Sequence, residues 1–318
     1  MIGKMVSHYR IVETLGGGGT SVVYKARDTR LDRFVALKFL LQKFCGKREF
    51  LDQFQQEART TSALNHPGIC TIHDVDEHRG RPFIVMEYLD GETLRDKLRR
   101  RGVTIKEAVA CGILIADALS RAHAAGIVHR DVSPANLFIT LDRRVKLLDF
   151  GIAKLRSSDG EVRTRVKRST TDRLTLTGTL YYLSPEQALC RDVDSRSDIF
   201  SAGVVLYEML SGRRPFIGPN ISTTISRIVY ATPKPLADVA RNVPAAIQAV
   251  VDRCLQKSLE HRYQTAEELR DQLRSAALIS TLDSKFRVKS AVVSTVDETE
   301  WRTLSSATIP EERVLQIS

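Results

Sequence analysis

The sequence lacks the long hydrophobic runs of membrane-spanning proteins. Its longest uninterrupted apolar run is Ala108–Ala116, which Asp117 closes after nine residues. A transmembrane helix needs about 20 apolar residues, so the sequence predicts no membrane span. The N-terminus has neither an apolar signal core nor a glycine after Met1 for myristoylation. We therefore expect a cytoplasmic protein.

Cysteine is also scarce, and no two cysteines are close in sequence. The chain of 318 residues contains five: Cys45, Cys70, Cys111, Cys190 and Cys254. Without a C-x-x-C pair, a zinc knuckle or a disulfide framework is not expected. The sequence predicts five reduced and mostly buried thiols.

Basic residues outnumber acidic ones, 48 against 38, which gives a net charge of +10. Such a charge is compatible with binding to nucleic acid or to an anionic membrane. However, the main basic clusters, residues 99–101 and 163–173, are not interleaved with aromatic side chains. We therefore expect no nucleic-acid partner, and an enzyme that handles phosphate groups is the better hypothesis.

The pattern of apolar residues changes near residue 90. Before it, alternation typical of strands occurs at 9–15, 21–26, 34–40, 69–75 and 82–88, with one helical pattern at 48–64. After it, helical patterns cover 105–125, 198–210, 245–255 and 266–277. The sequence thus predicts an α+β protein with a small β-rich lobe and a larger α-helical lobe. The stretch 278–318 is rich in Ser and Thr and is predicted to be a flexible tail, although 286–293 could form a strand.

A glycine-rich segment, Leu15–Ser21, joins the first two predicted strands. Glycines let backbone N–H groups approach phosphate oxygens, although a flexible turn would look the same. A strand follows and no Lys-Ser/Thr pair is present, which excludes the dinucleotide-binding fingerprint and the Walker loop. Lys38, on the next strand, could pair with Glu57 on the predicted helix and be held against phosphates.

Three further motifs follow in order: His129–Asn136, of the form H-R-D-x-x-x-x-N, then Asp149-Phe150-Gly151, and Ser184-Pro185-Glu186. With the glycine-rich segment, V-A-x-K and the helix glutamate, they resemble the protein kinase signature set in order and spacing. The resemblance covers roughly residues 8–275. The amino-acid sequence of residues 181–188 is most similar to that of bacterial eukaryotic-type (Hanks-type) Ser/Thr kinases.

The resemblance implies a bilobal protein-kinase-like fold with four catalytic residues. Asp131 would accept the proton of the attacking hydroxyl, and Lys38, held by Glu57, would bind the ATP phosphates. Asn136 and Asp149 would ligate Mg²⁺, with Mn²⁺ as an alternative. These residue types suit phosphoryl transfer, because positioning and electrostatic stabilisation dominate that chemistry.

The resemblance also implies an ATP site between the lobes. Val23 and Ala36 would face the adenine, Met86 would be the gatekeeper, and the Glu87 carbonyl and Leu89 N–H would meet the adenine edge. The full set of implied ATP-binding residues is Leu15, Gly16, Gly18, Gly19, Thr20, Ser21, Val23, Ala36, Lys38, Glu57, Met86, Glu87 and Leu89.

The same resemblance implies domain limits and three structural roles. The limits are an N-terminal segment 1–8, a kinase domain 9–277 and the tail 278–318; within the domain, the small lobe is 9–88, the hinge 87–91 and the large lobe 92–277. The structural roles are an anchor for the catalytic loop (Asp198), a buried ion pair (Glu186 with Arg262) and a hydrophobic spine (Ile72, His129 and Phe150).

The sequence departs from the family pattern at three positions. Ser21 replaces the third loop glycine, Ser133 replaces a lysine of the catalytic loop, and Thr61 replaces an apolar spine residue. The last two departures keep an alternative open, a pseudokinase-like binding module with little turnover. The leading hypothesis is an active ATP-dependent Ser/Thr kinase whose partners are protein substrates.

We further expect activation by autophosphorylation within the basic segment after Asp149. Arg130 precedes the catalytic aspartate and would dock a phosphate on Thr170, Thr171 or Thr175, with Thr171 the leading site. A transient homodimer would allow one copy to phosphorylate another.

Overall fold

The computed structural model describes residues 1–18, 20–150 and 179–293, without the side chains of residues 49, 53, 57, 179 and 280–293. The strands in this part are β1 (Met5–Val6), β2 (Tyr9–Gly17), β3 (Ser21–Asp28), β4 (Arg33–Leu40), β5 (Ile72–His78), β6 (Arg81–Glu87), β7 (Gly91–Thr93), β8 (Leu137–Thr140) and β9 (Val145–Leu147). The helices are α1 (Gln42–Cys45), α2 (Arg48–Ser62), α3 (Leu94–Arg100), α4 (Ile105–Ala124), α5 (Pro185–Ala188), α6 (Ser195–Ser211), α7 (Ile221–Tyr230), α8 (Leu236–Val239), α9 (Ala245–Cys254) and α10 (Ala266–Val293).

Six antiparallel strands form the sheet of the small lobe, in the order β1-β2-β3-β4-β6-β5. Successive side chains of a strand point to opposite faces. On one face, Leu37 pairs with Val85 and Phe39 with Phe83. These four side chains are fully buried in one apolar cluster. The alternation thus fixes this face as the small-lobe core and leaves the other face for α2 and the cleft between the lobes.

Helix α2 packs against the second face of the sheet. Its apolar residues Phe50, Phe54 and Ala58 recur at helical spacing and form a cluster with Leu40 and Ile84. The polar side of the helix faces outward. This packing sets α2 beside the strand that carries Lys38.

The large lobe is built around α4 and α6. Helix α4 begins with a capping box, in which Thr104 and Glu107 satisfy each other's backbone N–H groups. Gly203 of α6 lies directly against α9, where an added Cβ would stand 2.5 Å from Cys254 Cβ. The close approach of these two helices therefore requires glycine.

The small sheet β7-β8-β9 lies where the chain enters the large lobe. At Gly91, φ is 149° and an added Cβ would lie 2.1 Å from the Ile139 carbonyl oxygen, so only glycine fits there. Val145 and Leu147 of β9 are buried in the large-lobe core with residues of α4. This anchors the strand that leads to Asp149.

The predicted two-lobe α+β architecture is confirmed, with three differences in the small lobe. The predicted N-terminal segment 1–8 contributes β1, which pairs with β2. The strand predicted at 69–75 begins only at Ile72, because the Cys70 N–H donates to the Leu147 carbonyl on β9 instead of joining the sheet. A second helix, α1, follows β4, although the sequence predicted only one helix in the small lobe. It is only four residues long, too short to give a period.

Residues 278–293, placed in the predicted tail, are helical in the structure. Helix α10 runs unbroken past Ala277 to Val293, so 286–293 is the end of a helix and not a strand. No glycine or proline interrupts this stretch, and extending an existing helix is far easier than starting one. Residues 294–318 lie outside the described part of the chain.

All five cysteines are free, and three of them, Cys70, Cys111 and Cys254, are buried. Burial raises the pKa of these three thiols, which keeps them in the neutral form. The prediction of reduced, mostly buried thiols is confirmed. Among the described helices, none is long and apolar enough to cross a bilayer.

Candidate active site in the cleft between the lobes

Lys38 lies on the sheet face that turns away from the small-lobe core. It pairs directly with Val23, and Ala36 pairs with Met86. Residues that pair directly, and residues two apart on a strand, share a face. The structure therefore brings the lysine, the two residues predicted to face adenine and the predicted gatekeeper onto one surface.

The glycine-rich segment forms the turn between β2 and β3 above this surface. Leu15, Gly16 and Gly17 are the last residues of β2, and the Gly18 N–H donates to the Ser21 carbonyl at 2.8 Å. The Thr20 carbonyl accepts from the Leu41 N–H, which ties the turn to the end of β4. Gly19 lies outside the described residues. The turn thus stands over the same face as Lys38.

The ammonium of Lys38 reaches across the cleft to Asp149, which follows β9. Its Nζ lies 2.8 Å from Asp149 Oδ1. Lys38 is almost fully buried, whereas the Asp149 side chain is 42% exposed. The carboxylate thus remains open to the cleft while it neutralises a buried cation. The side chain of Glu57, the predicted partner of Lys38, is outside the described part.

Asp198 of α6 holds the catalytic loop through two hydrogen bonds. This buried carboxylate accepts the His129 N–H at 2.7 Å and the Arg130 N–H at 2.8 Å. Arg130 has a left-handed backbone, with φ of 64°, a conformation that costs about 1–3 kcal/mol in a non-glycine residue. The two charge-assisted hydrogen bonds offset that strain, so the predicted anchoring role of Asp198 is confirmed.

His129 links the catalytic loop to the segment around Asp149. Its Nε2 donates to the Leu148 carbonyl at 3.0 Å, and its Nδ1 accepts the Asp131 N–H at 3.2 Å. Its ring packs on Phe150 at a centroid distance of 4.5 Å, as predicted for the spine. Ile72, the third predicted spine residue, packs against the α2 cluster.

Asp131 and Asn136 face each other within the loop. The Asn136 amide Nδ2 donates to both the backbone carbonyl and Oδ2 of Asp131, each at 2.9 Å. The Leu148 N–H donates to the Asn136 carbonyl at 2.8 Å, which fixes the loop beside Asp149. The side chains of Asp131 and Asn136 are thus in contact, and the backbone places Asp149 next to their loop.

Glu186 and Arg262 form a buried, two-pronged ion pair. Arg262 Nη1 and Nη2 donate to the two Glu186 oxygens at 2.8 and 2.9 Å, and Arg262 is fully buried. Burial alone would raise the pKa of Glu186, but the hydrogen bonds and charge of Arg262, with a bond from Ser197, hold it below its ordinary value. The predicted pair is confirmed, and it holds α5 against the large lobe.

Sequence analysis missed two polar contacts of the loop. His123 Nε2 lies 2.8 Å from Asp198 Oδ2, and Gln187 Nε2 donates to the Arg130 carbonyl at 2.9 Å. Gln187 also closes the capping box of α5 with Ser184, which is a readable sequence signal. The contact of Gln187 with the Arg130 carbonyl cannot be read from the sequence, because it joins segments that are far apart in the chain.

The departures at Thr61 and Ser133 have a common structural signature. Both side chains are buried, and neither hydroxyl has a hydrogen-bond partner among the described residues. Leaving a buried hydroxyl unpaired costs about 1–3 kcal/mol. Thr61 lies near the end of α2 and Ser133 in the catalytic loop.

The hinge follows β6, which ends at Glu87. The Glu87 N–H donates to the Thr71 carbonyl at 2.9 Å, and Leu89 is half-buried in the connection to β7. The predicted phosphorylation sites Thr170, Thr171 and Thr175 lie in 151–178, outside the described residues.

Comparisons with known proteins agree with this geometry. The family model "Protein kinase domain" matches residues 9–273. The chain is 42% identical over 270 residues to serine/threonine-protein kinase PknB of Mycobacterium tuberculosis, covering 83% of this chain and 42% of that protein. It is 38% identical over 275 residues to a probable serine/threonine-protein kinase of Clostridium acetobutylicum, covering 86% of this chain and 40% of that protein.

Among solved structures, the kinase domain of Mycobacterium tuberculosis PknI superposes with a TM-score of 0.66 at 27% identity, covering 87% of this chain and 99% of that domain. The chain thus spans about two fifths of the length of the curated relatives named above.

Proposed function

Because the chain belongs to the protein kinase domain family, we propose that it is a serine/threonine protein kinase. It transfers the γ-phosphoryl group of ATP to Ser or Thr hydroxyls of proteins. The observation that carries this proposal is the meeting of Lys38, Asp131, Asn136 and Asp149 in one cleft. These residues come from three separate segments of the chain, and their side chains suit phosphoryl transfer.

The donor set at the floor of the cleft fits a magnesium ion. Mg²⁺ prefers oxygen ligands and is commonly held by one or two carboxylates together with substrate phosphates. Asp149 offers a half-exposed carboxylate, and Asn136 keeps its amide oxygen as an acceptor while its Nδ2 donates to Asp131. When bound, the ion would neutralise charge developing on the transferred group.

Each residue of the proposed site then has a stated role. Lys38 supplies a buried positive charge to the ATP phosphates, and Asp131 orients the substrate hydroxyl and accepts its proton. Asn136 fixes the Asp131 carboxylate through its amide hydrogen bond. The glycine-rich turn covers the phosphates, since glycines let the backbone come close to them. Positioning of these groups, more than covalent chemistry, accounts for the rate.

The alternative of a pseudokinase rested on Ser133 and Thr61. In the described residues both positions are buried and leave the polar groups of the cleft in place. Ser133 has an unpaired hydroxyl, so Ser133→Ala should keep the rate within about threefold, since no hydrogen bond is lost. The similarity to serine/threonine-protein kinases over most of the chain favours an active enzyme over a binding module.

We also propose that autophosphorylation activates the enzyme, with Arg130 docking a phosphate on Thr170, Thr171 or Thr175. Support comes from the Arg130 backbone, which Asp198 and Gln187 hold on both sides. A transient homodimer in the cytoplasm would serve transfer between two copies.

Phosphosite mapping after incubation with Mg·ATP tests this activation. We expect phosphate on Thr171 first, and lower activity in Thr170→Ala and Thr171→Ala, lowest in the double variant. Thr29→Ala, which removes an exposed threonine hydroxyl in the turn between β3 and β4, is the matched control and should leave activity unchanged. A fully active enzyme with an unmodified segment would contradict the proposal.

A further inference from the structure

The carboxylate of Glu87, at the end of β6, joins three separate segments. Its Oε1 accepts the Thr71 N–H at 2.7 Å and the Lys146 ammonium at 2.6 Å. Lys146 Nζ also donates to the Ile69 carbonyl at 3.3 Å. The Glu87 side chain is 24% exposed and that of Lys146 only 11%. We call the pair Glu87–Lys146 the hinge clamp.

Backbone hydrogen bonds hold the loop between α2 and β5 beside this pair. The Glu87 N–H donates to the Thr71 carbonyl at 2.9 Å, and the Cys70 N–H donates to the Leu147 carbonyl at 2.9 Å. The Leu147 N–H donates to the Gly68 carbonyl at 2.8 Å. Loop 68–71 is therefore bonded both to the hinge and to β9. The hinge clamp adds the direct link between hinge and β9.

The two partners of the hinge clamp belong to different lobes. Glu87 pairs with Val35 in the small-lobe sheet, whereas Lys146 lies on β9, whose Val145 and Leu147 are buried in the large-lobe core. A rotation of one lobe against the other must stretch this contact. Hydrogen bonds between ionised groups are about twice as strong as neutral ones, and solvent ions screen buried pairs only weakly.

The position of the hinge clamp connects it to nucleotide release. Glu87 belongs to the segment proposed to meet the adenine edge, and Lys146 lies three residues before Asp149 on the same strand segment. Opening of the cleft must precede the departure of a nucleotide held between these two points, and such openings set the turnover of many enzymes.

We propose that the hinge clamp restrains rotation of the small lobe against the large lobe and thereby slows the release of bound nucleotide. Glu87 and Lys146 act as positioning residues, because neither side chain carries the chemistry. The effect on nucleotide rests on the proposed kinase function. The restraint on the lobes rests on the contacts of Glu87 and Lys146 alone.

Stopped-flow dissociation of fluorescent mant-ADP from the full chain tests the proposal. Lys146→Met and Glu87→Gln should each speed release by about three- to tenfold. The double variant should be no faster than the faster single variant, because both changes break one contact. Lys146→Arg should stay close to wild type. Arg144→Met, which removes an exposed ion pair of the same hairpin, is the matched control and should not change release.

Hydrogen exchange of the nucleotide-free protein separates this proposal from the kinase function. Peptides spanning 68–71 and 85–89 should exchange faster in Lys146→Met and Glu87→Gln, and not in Arg144→Met. If wild type binds mant-ADP but neither variant releases it faster, or if the two effects multiply in the double variant, the hinge clamp is overturned and the kinase function stands. If wild type does not bind mant-ADP, the proposed function fails. Hydrogen exchange then tests the restraint on the lobes by itself: if the peptides 68–71 and 85–89 exchange at the wild-type rate in both variants, the restraint is overturned.

Discussion

Lys38 Nζ lies 2.8 Å from Asp149 Oδ1, and this contact joins the central strand of the small lobe to the segment after β9 in the large lobe. A buried ammonium thus meets a half-exposed carboxylate at the point where the two lobes face each other. Such a pair concentrates opposite charges where a nucleotide's phosphates and a metal ion would bind. The proposed reaction depends on both partners.

The first prediction concerns these two side chains. Lys38→Met and Asp149→Asn should each reduce phosphoryl transfer about 10³-fold or more, because electrostatic groups in this chemistry have effects of that size. Both variants should remain folded, since Met preserves most of the volume of Lys38 and Asn that of Asp149. Initial rates with Mg·ATP, together with thermal unfolding, provide the measurement.

Asp142→Asn is the matched control for that experiment. Asp142 lies in the turn between β8 and β9 and its ion pair with Arg144 is exposed. Its rate should equal that of wild type. A folded Lys38→Met or Asp149→Asn variant with normal turnover would contradict the proposed roles.

The second prediction concerns the buried pair Glu186–Arg262. Arg262→Met should destabilise the protein by about 3–5 kcal/mol, because it leaves the Glu186 carboxylate buried without its partner. Arg274→Met, which removes an exposed pair with Asp271, should cost at most about 1 kcal/mol. Urea unfolding of the three proteins measures the difference. Equal losses in the two variants would show that burial does not strengthen the internal pair.

The third prediction concerns the unpaired hydroxyl of Thr61. Thr61→Val keeps the shape and removes a buried polar group without a partner, so the free energy of unfolding should rise by about 1 kcal/mol. Thr60→Val is the control, since the Thr60 hydroxyl accepts a hydrogen bond from Gln56 on the same helix, and it should bring no gain. Denaturant titration at one pH is sufficient. A loss of stability in Thr61→Val would mean that its hydroxyl is satisfied.

The fourth prediction concerns pH and Lys257. Its Nζ donates to the Ile228 carbonyl at 2.6 Å and lies 3.7 Å from the centre of the Phe216 ring. Burial, followed by the positive charge of Arg262, lowers the pKa of Lys257 to about 7. In an unfolded chain the pKa of lysine is about 10.4. Between these values the unfolded chain binds more protons, so stability rises with pH.

Comparison with Lys257→Met isolates this group, because other titrating residues cancel in the difference. The free energy of unfolding of wild type minus that of the variant should increase steadily from pH 7 to pH 9. A difference that stays constant over this range would show that Lys257 remains charged in the folded protein.

Much of the site could be predicted from the sequence because its motifs are local. The glycine-rich segment and the loop at His129–Asn136 carry their chemistry in consecutive residues. Strand alternation puts Ala36 and Lys38 on one face, and the family resemblance added Val23, which pairs with Lys38 in the structure. The anchoring by Asp198 was accessible only through the family resemblance, because nothing near Asp198 in sequence indicates a contact with His129.

The parts that could not be predicted depend on contacts between distant segments. The start of β5 at Ile72 is set by the bond from Cys70 to Leu147, which no local pattern encodes. Lys146 looks like an ordinary strand lysine until the fold brings it to Glu87. The continuation of α10 to Val293 was missed because its Ser- and Thr-rich composition favoured a loop.

Transfer of the labelled γ-phosphoryl group of ATP, followed by intact mass spectrometry, tests the central claim most directly. Wild type incubated with Mg·ATP and a Ser/Thr-containing protein substrate should label both the substrate and itself, and its mass should rise in steps of one phosphoryl group. Asp131→Asn should be folded and should label neither. Absence of label with folded wild type, or equal label with Asp131→Asn, would contradict the account.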